Sequence, residues 1–188
     1  MDYNKINEIL KQNLKEKRYI HSLCVADEAK RLALKYGADS EKAYLAGLVH
    51  DITKNRTTDE QLHFFTRFGI MLDDITKNSE KLWHAVTGAA YIENVLGITD
   101  KEILSAVRYH TTAKANMTVL EKVLYLADFT SSDRDYSDVD VMRRLVDISL
   151  MDAMEYALSY TINELIEKKK QIHPDTVAAY NEIMKRGI

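Results

Sequence analysis

His50 and Asp51 close an apolar stretch, Ala43-Tyr44-Leu45-Ala46-Gly47-Leu48-Val49, and that placement is the clearest chemical signal in the chain. Nearly every position up to Val49 is apolar or small, which marks a helix buried on all sides. A carboxylate left there without compensation costs several kcal/mol, so it requires a metal ion or another charge as partner. A buried His-Asp pair suggests a metal. Adjacent helical residues diverge by about 100°, so both can reach one ion only if it sits beside the helix end and other helices supply further ligands.

The elements that would supply them are legible as helical stripes. With six glycines, a single proline (Pro174), and apolar residues recurring at three and four rather than at two, the chain reads as all-α, a compact helical bundle without a convincing strand. A first helix is expected over 4–17, with Ile6, Ile9, Leu10 and Leu14 on one face. A second, over 19–36, stops at Gly37, where a left-handed residue can end a helix. Its stripe of His21, Val25, Ala29, Leu32 and Tyr36 turns His21 inward. Asp39 or Ser40 can cap the helix that ends in His50-Asp51.

Residues 58–68 form a short helix closed by Gly69, whose His63 reads as a surface or partly packed residue, and 70–78 reads as irregular. Ser79 opens a helix to Leu96-Gly97 with His84, Gly88, Tyr91, Ile92 and Val95 on one side; Gly88 would let a backbone or ligand approach. Thr99 and Glu102 have capping-box spacing, and the helix they open carries Ile103, Ala106, Val107 and His110 on one face. From Thr118 or Asn116, Leu120, Leu124, Tyr125 and Asp128 align. Helices over 139–146, 149–170 and 174–186 complete the chain; Lys168-Lys169-Lys170 reads as a solvated helix end, where positive charge suits the dipole.

His21, His50, Asp51, His84, His110 and Asp128 are thus six potential ligands on five helices, each on an apolar side or at the end of an apolar helix. Any one alone reads as a satisfied core residue. Six together are harder to satisfy with neutral partners, whereas a mixed nitrogen and oxygen set suits iron, manganese or another divalent transition ion.

The pattern of a His, a His-Asp pair and a distant Asp resembles the HD-domain metal-dependent phosphohydrolases. Arg18-Tyr19-Ile20-His21, His50-Asp51-Ile52-Thr53-Lys54, Trp83-His84, Tyr109-His110-Thr111, Tyr125-Leu126-Ala127-Asp128, Arg134 and Ile172-His173-Pro174-Asp175-Thr176 are similar to its YqeK branch, over nearly the whole chain. The resemblance implies a single HD-type domain over 1–188 that hydrolyses diadenosine tetraphosphate symmetrically to two ADP and favours iron. It places His21, His50, Asp51 and Asp128 on a metal. His84 and His110 would hold a second ion with Asp51 bridging, or bond the phosphate chain.

Attack of water on phosphorus needs an ion that makes hydroxide available near neutral pH, and cations that neutralise phosphate charge. Asp51 and Lys54 are the catalytic candidates, and Lys54, one turn past His50, is the first candidate for a phosphate contact; the alternative is a solvent-facing lysine. Arg134 could clamp phosphates bidentately or sit in a surface salt bridge. Arg18, one turn before His21, could act similarly. Thr111 could donate to an oxygen anion or serve its loop, and His173 could reach the nucleotide or merely form a turn before Pro174. Tyr91, Tyr109 and Tyr136 are possible stacking residues, with core packing the alternative for the first two. Substrates of the same chemistry on another nucleotide, or a catalytically silent nucleotide sensor, are the competing readings.

Composition bounds these readings. The 188 residues carry 46% hydrophobic and 29% charged residues, a globular balance, and no apolar run approaches the roughly 18 residues a membrane span needs. The start, Met1-Asp2-Tyr3-Asn4-Lys5, lacks the apolar core of a secretion signal, so a cytoplasmic protein is expected. The single cysteine, Cys24, cannot form an internal disulfide and reads as a core residue. A net charge of −3 offers no broad basic field for nucleic acid. A homodimer is allowed by the sequence and not required by it.

Overall fold

Apolar periodicity near 3.6 becomes helix throughout the computed structural model, which describes residues 3–185; Met1, Asp2 and the end of the last expected helix at Arg186 lie outside the described residues. The first five helices are α1 (Tyr3–Asn13), α2 (Glu16–Tyr36), α3 (Ser40–Val49), α4 (Thr58–Arg67) and the short α5 (Asp74–Lys77). Then follow α6 (Glu80–Asn94), α7 (Lys101–Tyr109), α8 (Val119–Thr130), α9 (Val139–Ile148), α10 (Leu150–Glu167) and α11 (Pro174–Met184). No strand occurs among the described residues.

Several boundaries differ from the sequence expectation, each for a local reason. The first break falls at Leu14-Lys15 instead of after Lys17, because Leu14 is buried and the Lys15 amide leaves the helix to donate to Asn55 Oδ1 at 2.9 Å. Arg18 and Tyr19 therefore belong to α2. The cap of α7 is Asp100, not Thr99: its carboxylate accepts from the Glu102 and Ile103 amides, a stronger acceptor than a hydroxyl. Glu102, freed from capping, pairs with Lys42 at 2.5 Å. Within the stretch expected to be irregular, Asp73 accepts from the Ile75 and Thr76 amides and nucleates α5. The long helix ends at Glu167, and Lys168, Lys169 and Lys170 are exposed as expected.

Other expectations hold. Gly37 adopts φ +76° at the end of α2, Asp39 caps α3, and Thr118 with Glu121 forms a capping box at α8.

The core is one cluster centred on α2, α3, α7 and α8. Helix α3 is buried at Ala43, Leu45, Ala46, Leu48 and Val49, as its uniform apolarity demands. It reaches α2 backbone to backbone: a Cβ on Gly47 would stand 2.7 Å from Ala26 Cα. Close approach is thus required at Gly47 and not at Gly88, where an added Cβ would meet the His50 carbonyl and Thr53 hydroxyl at 3.6 Å and Val107 Cγ1 at 3.7 Å, all ordinary contacts. Helices α4 and α5 pack on α6, while α9 and α10 pack against α8 and α11 against α10. Cys24 is half-buried and outside the core cluster, so its expected place in the core is corrected. No helix among the described residues is long and apolar enough to cross a membrane.

Candidate metal centre

Four imidazoles form a row through the middle of the bundle. Ring centroids of His21 and His50 are 5.3 Å apart, those of His50 and His110 5.0 Å, and those of His110 and His84 5.1 Å. His21 lies in α2 and His84 in α6; His50 and His110 are the C-terminal cap residues of α3 and α7. Asp51 and Asp128, the latter from α8, lie along the row. Three overlapping triads result: His21, His50 and Asp51; His50, His110 and Asp128; Asp51, His84 and His110. Within each, ligand atoms lie within 4.8 Å of one another.

The orientation of two rings is fixed by the helices that end at them. His50 Nδ1 is 2.7 Å from the Gly47 carbonyl and His110 Nδ1 is 2.7 Å from the Val107 carbonyl. A carbonyl only accepts, so each Nδ1 carries the proton and each Nε2 keeps a lone pair. Those lone pairs face other acceptors. His50 Nε2 is 3.6 Å from Asp51 Oδ2 and 3.9 Å from Asp128 Oδ1; His110 Nε2 is 3.7 Å from Asp51 Oδ1.

His50 Nε2 has no hydrogen-bond partner, and its side chain is 0% exposed. Acceptors aimed at acceptors away from water are unfavourable unless a cation stands between them. The residues therefore fit a divalent metal ion, and their nitrogen and oxygen donors suit a transition metal.

Protonation is consistent with that use. Burial lowers the pKa of His50 and of His84 to about 4, leaving both neutral at pH 7, the form in which imidazole ligates. Burial by itself would raise Asp51, yet its carboxyl lies well below the ordinary carboxylate range and is ionised. For Asp128 the same burial is overcome by the bond from His21 and the charge of Arg134. His21 is raised: burial opposes its charge, and its bond to Asp128 prevails.

Three cations reach the row. Arg18 Nη1 donates to Asp51 Oδ2 at 2.8 Å, so its carboxylate partner lies inside the site. Arg134 donates through Nε to the Asp128 carbonyl at 2.6 Å and through Nη2 to the Asp128 carboxylate. Lys54 is folded inward, with Nζ 3.1 Å from Nε2 and 3.2 Å from Nδ1 of His84. It is not a solvent-facing lysine, and burial lowers its pKa.

The remaining sequence candidates fall in different places. Thr111 lies next to His110, and its Oγ1 is buried without a partner. His173 caps α11: its Nδ1 accepts from the Asp175 amide, and its Nε2 is 3.2 Å from Thr76 Oγ1 and 3.3 Å from Asp73 Oδ2. None of these contacts is with the row. His63 is exposed, and with Tyr91 and Phe64 it lines a cavity of about 460 Å³ that none of the six ligand candidates lines. Tyr109 lies beneath Arg108 and Lys114, while Tyr136 packs on Tyr160 at 5.6 Å.

Four site residues escaped the sequence reading. Asp133 accepts from His21 Nδ1 at 2.8 Å and is itself held by Ser131 Oγ at 2.8 Å. Its signal was its position, five residues past Asp128 in the loop that carries Arg134. Thr53, Thr87 and Gln61 form a buried polar network beneath His84. Thr53 Oγ1 donates to the His84 carbonyl at 3.0 Å, and Thr87 lies 2.6 Å from Gln61 Oε1. Gln61 Nε2 returns to the Thr53 carbonyl at 2.9 Å. Nothing in their spacing marks them, because the bonds that join them run between elements far apart in the chain.

A family model described as HD domain matches residues 18–133, which contain all six ligand candidates. A Bacillus subtilis (strain 168) protein named bis(5'-nucleosyl)-tetraphosphatase, symmetrical, is 38% identical over 172 residues, 92% of each chain. A Halalkalibacterium halodurans protein of the same name is 37% identical over 184 residues, 98% of each chain. The crystal structure of a Clostridium acetobutylicum protein, described as a "predicted HD superfamily hydrolase involved in NAD metabolism", superposes with a TM-score of 0.95 at 38% identity, covering 99% of this chain and 98% of that one.

Proposed function

The chain belongs to the HD domain family, and from that membership we propose that it is a metal-dependent hydrolase that splits diadenosine tetraphosphate and water into two ADP. The substrate follows the names of relatives at 37–38% identity over most of the chain. The observation that carries the chemistry is the double engagement of Asp51, with Oδ2 toward His50 and Oδ1 3.1 Å from His84 Nε2. One carboxylate is thereby available to two neighbouring sets of imidazoles.

In this reading His21, His50, Asp51 and Asp128 hold one ion, and His84 and His110 hold a second one shared through Asp51 or meet the phosphate chain. Iron is the proposed metal, acting in the cytoplasm within a single domain. When bound, such an ion supplies a nucleophile from water at neutral pH and withdraws charge from phosphate oxygens. The protein's own part is positional. Arg18 and Arg134, already seated on the ligand carboxylates, present guanidinium groups to phosphate oxygens, and Lys54 does so from beside His84. Thr111 offers a hydroxyl with no competing partner.

The test is a product analysis on protein purified anaerobically, together with its metal content. Two ADP per molecule of diadenosine tetraphosphate, with bound iron, is the expected result. Release of ATP with AMP, or turnover of a mononucleotide while the dinucleotide is untouched, would overturn the assignment.

A further inference from the structure

A substrate cut at its midpoint must place equal halves on either side of the bond that breaks. The row of four rings has a cavity at each end. At the His21 end, Glu16, Lys17, Ile20 and Asp133 border a space of about 290 Å³, with two carboxylates to one lysine. At the His84 end, Lys54, Arg56, Lys81, Glu80, Thr58 and Trp83 border one of about 240 Å³ between α4 and α6, with Glu80 accepting from Thr58 Oγ1 at 3.4 Å.

The two ends differ in how their cations are engaged. Arg18 and Arg134 already bond carboxylates, those of Asp51 and Asp128. Lys54 Nζ has only the nitrogens of the His84 ring within hydrogen-bond reach, and neither Lys54 nor Lys81 has a carboxylate within ion-pair reach among the described residues. Two ammonium groups on one cavity, neither of them ion-paired with Glu80, the carboxylate that shares its wall, form a receptor for a multiply charged anion. Arg56 on the same wall is taken up by Glu60 at 2.7 Å and by Asn13. Trp83 gives a rigid apolar wall, its ring fixed by Nε1 donating to the Thr76 carbonyl at 2.8 Å and by the edge of Phe65 at 5.1 Å.

We propose that the cavity at the His84 end is the binding site for one nucleoside diphosphate half of the substrate, its phosphates between Lys54 and Lys81, with the other half on the far side of the row, toward Arg18 and Arg134. The proposal rests on the dinucleotide reading above and goes beyond it by assigning Lys81, which no ligand motif touches, to substrate binding. It also gives the site a direction, since the phosphate chain must run along the row of imidazoles.

The experiment uses the full metal-loaded chain with ADP as probe and Lys81→Glu as the variant. Lys81 is exposed in the first turn of α6, where an acidic residue suits the helix dipole, so the substitution leaves the fold intact. Equilibrium dialysis should count two ADP per chain for the native protein and one for the variant. The KM for diadenosine tetraphosphate should rise about tenfold, the loss of one charge-assisted contact. Lys101→Glu makes the same change of charge at the exposed start of α7 and should change neither reading. Two ADP still bound by Lys81→Glu with an unchanged KM would overturn the proposal. A native protein that leaves diadenosine tetraphosphate intact would sink the proposed function instead, while the ADP count still decides the cavity.

Discussion

His21 Nδ1 donates to Asp133 Oδ2 at 2.8 Å, joining the second helix to a loop 112 positions later. The bond leaves Nε2 as the atom that faces the centre, 3.0 Å from Asp128 Oδ1. A carboxylate behind a ligand histidine fixes its tautomer and raises its basicity. Asp133→Ala should therefore weaken metal binding about 10- to 100-fold without unfolding the chain. Asp133→Asn, which keeps an acceptor, should lose less. A metal titration of both variants decides, and affinities equal to that of the native protein would remove Asp133 from the site.

Asp51 is the carboxylate that belongs to two of the triads, and Lys54 touches the row only through His84. Asp51→Ala should lose bound metal and lower kcat by about a thousandfold or more, the several kcal/mol an ion contributes. Helical circular dichroism should persist. Lys54→Ala should keep its metal while kcat/KM falls about tenfold through a lost phosphate contact. Elemental analysis beside initial rates separates the two; an Asp51→Ala protein with full metal and rate would refute the placement.

Gly47 sets the distance between α2 and α3, since a Cβ there would stand 2.7 Å from Ala26 Cα and 2.9 Å from Ala26 N. Both neighbours are backbone, so no side chain can move aside. Gly47→Ala should cost about 1–3 kcal/mol, a drop in Tm of roughly 2–12 °C. Because the Gly47 carbonyl also aims His50, activity should fall at temperatures where the variant is still folded. An unchanged melting curve would show that the helices separate freely.

Asp100 caps α7 and pairs with Lys42 at 2.9 Å. Its pKa is lowered, chiefly by the bond from Lys42 and further by the helix amides it caps. A depressed carboxylate stabilises the fold above its unfolded value of about 3.9, and that contribution is lost as pH falls through the lower folded value. Asp100→Ala should cost about 1 kcal/mol at pH 7. In urea unfolding the difference from the native protein should shrink below pH 4; a gap constant with pH would leave the charge with no part in it.

Much of this was legible in the residues. The unbroken apolarity from Ala43 to Val49 marked the buried helix, and the stripe from His21 to Tyr36 marked which way His21 turns. Periodicity says that a side chain points inward, but not what it meets there. The Arg18 to Asp51 bond and the role of Asp133 therefore emerged only with the fold, since each joins elements far apart in the chain. Local competition was equally hidden. Thr99 and Glu102 have the right spacing for a cap, yet Asp100 between them is the better acceptor and takes the helix start. His173 illustrates the reverse, a histidine whose cap geometry and bonds to Thr76 and Asp73 engage it away from the centre.

The row of imidazoles draws on α2, α6 and the ends of α3 and α7, with a carboxylate from α8, and no two neighbours in the row come from the same helix. Such a chelating set has no counterpart in a partly folded chain, so a cation that prefers it binds the finished tertiary structure alone. Metal supply then enters the folding equilibrium directly. At a free concentration one hundred times Kd it adds about 2.7 kcal/mol, enough for starvation of the ion to appear as loss of the protein itself.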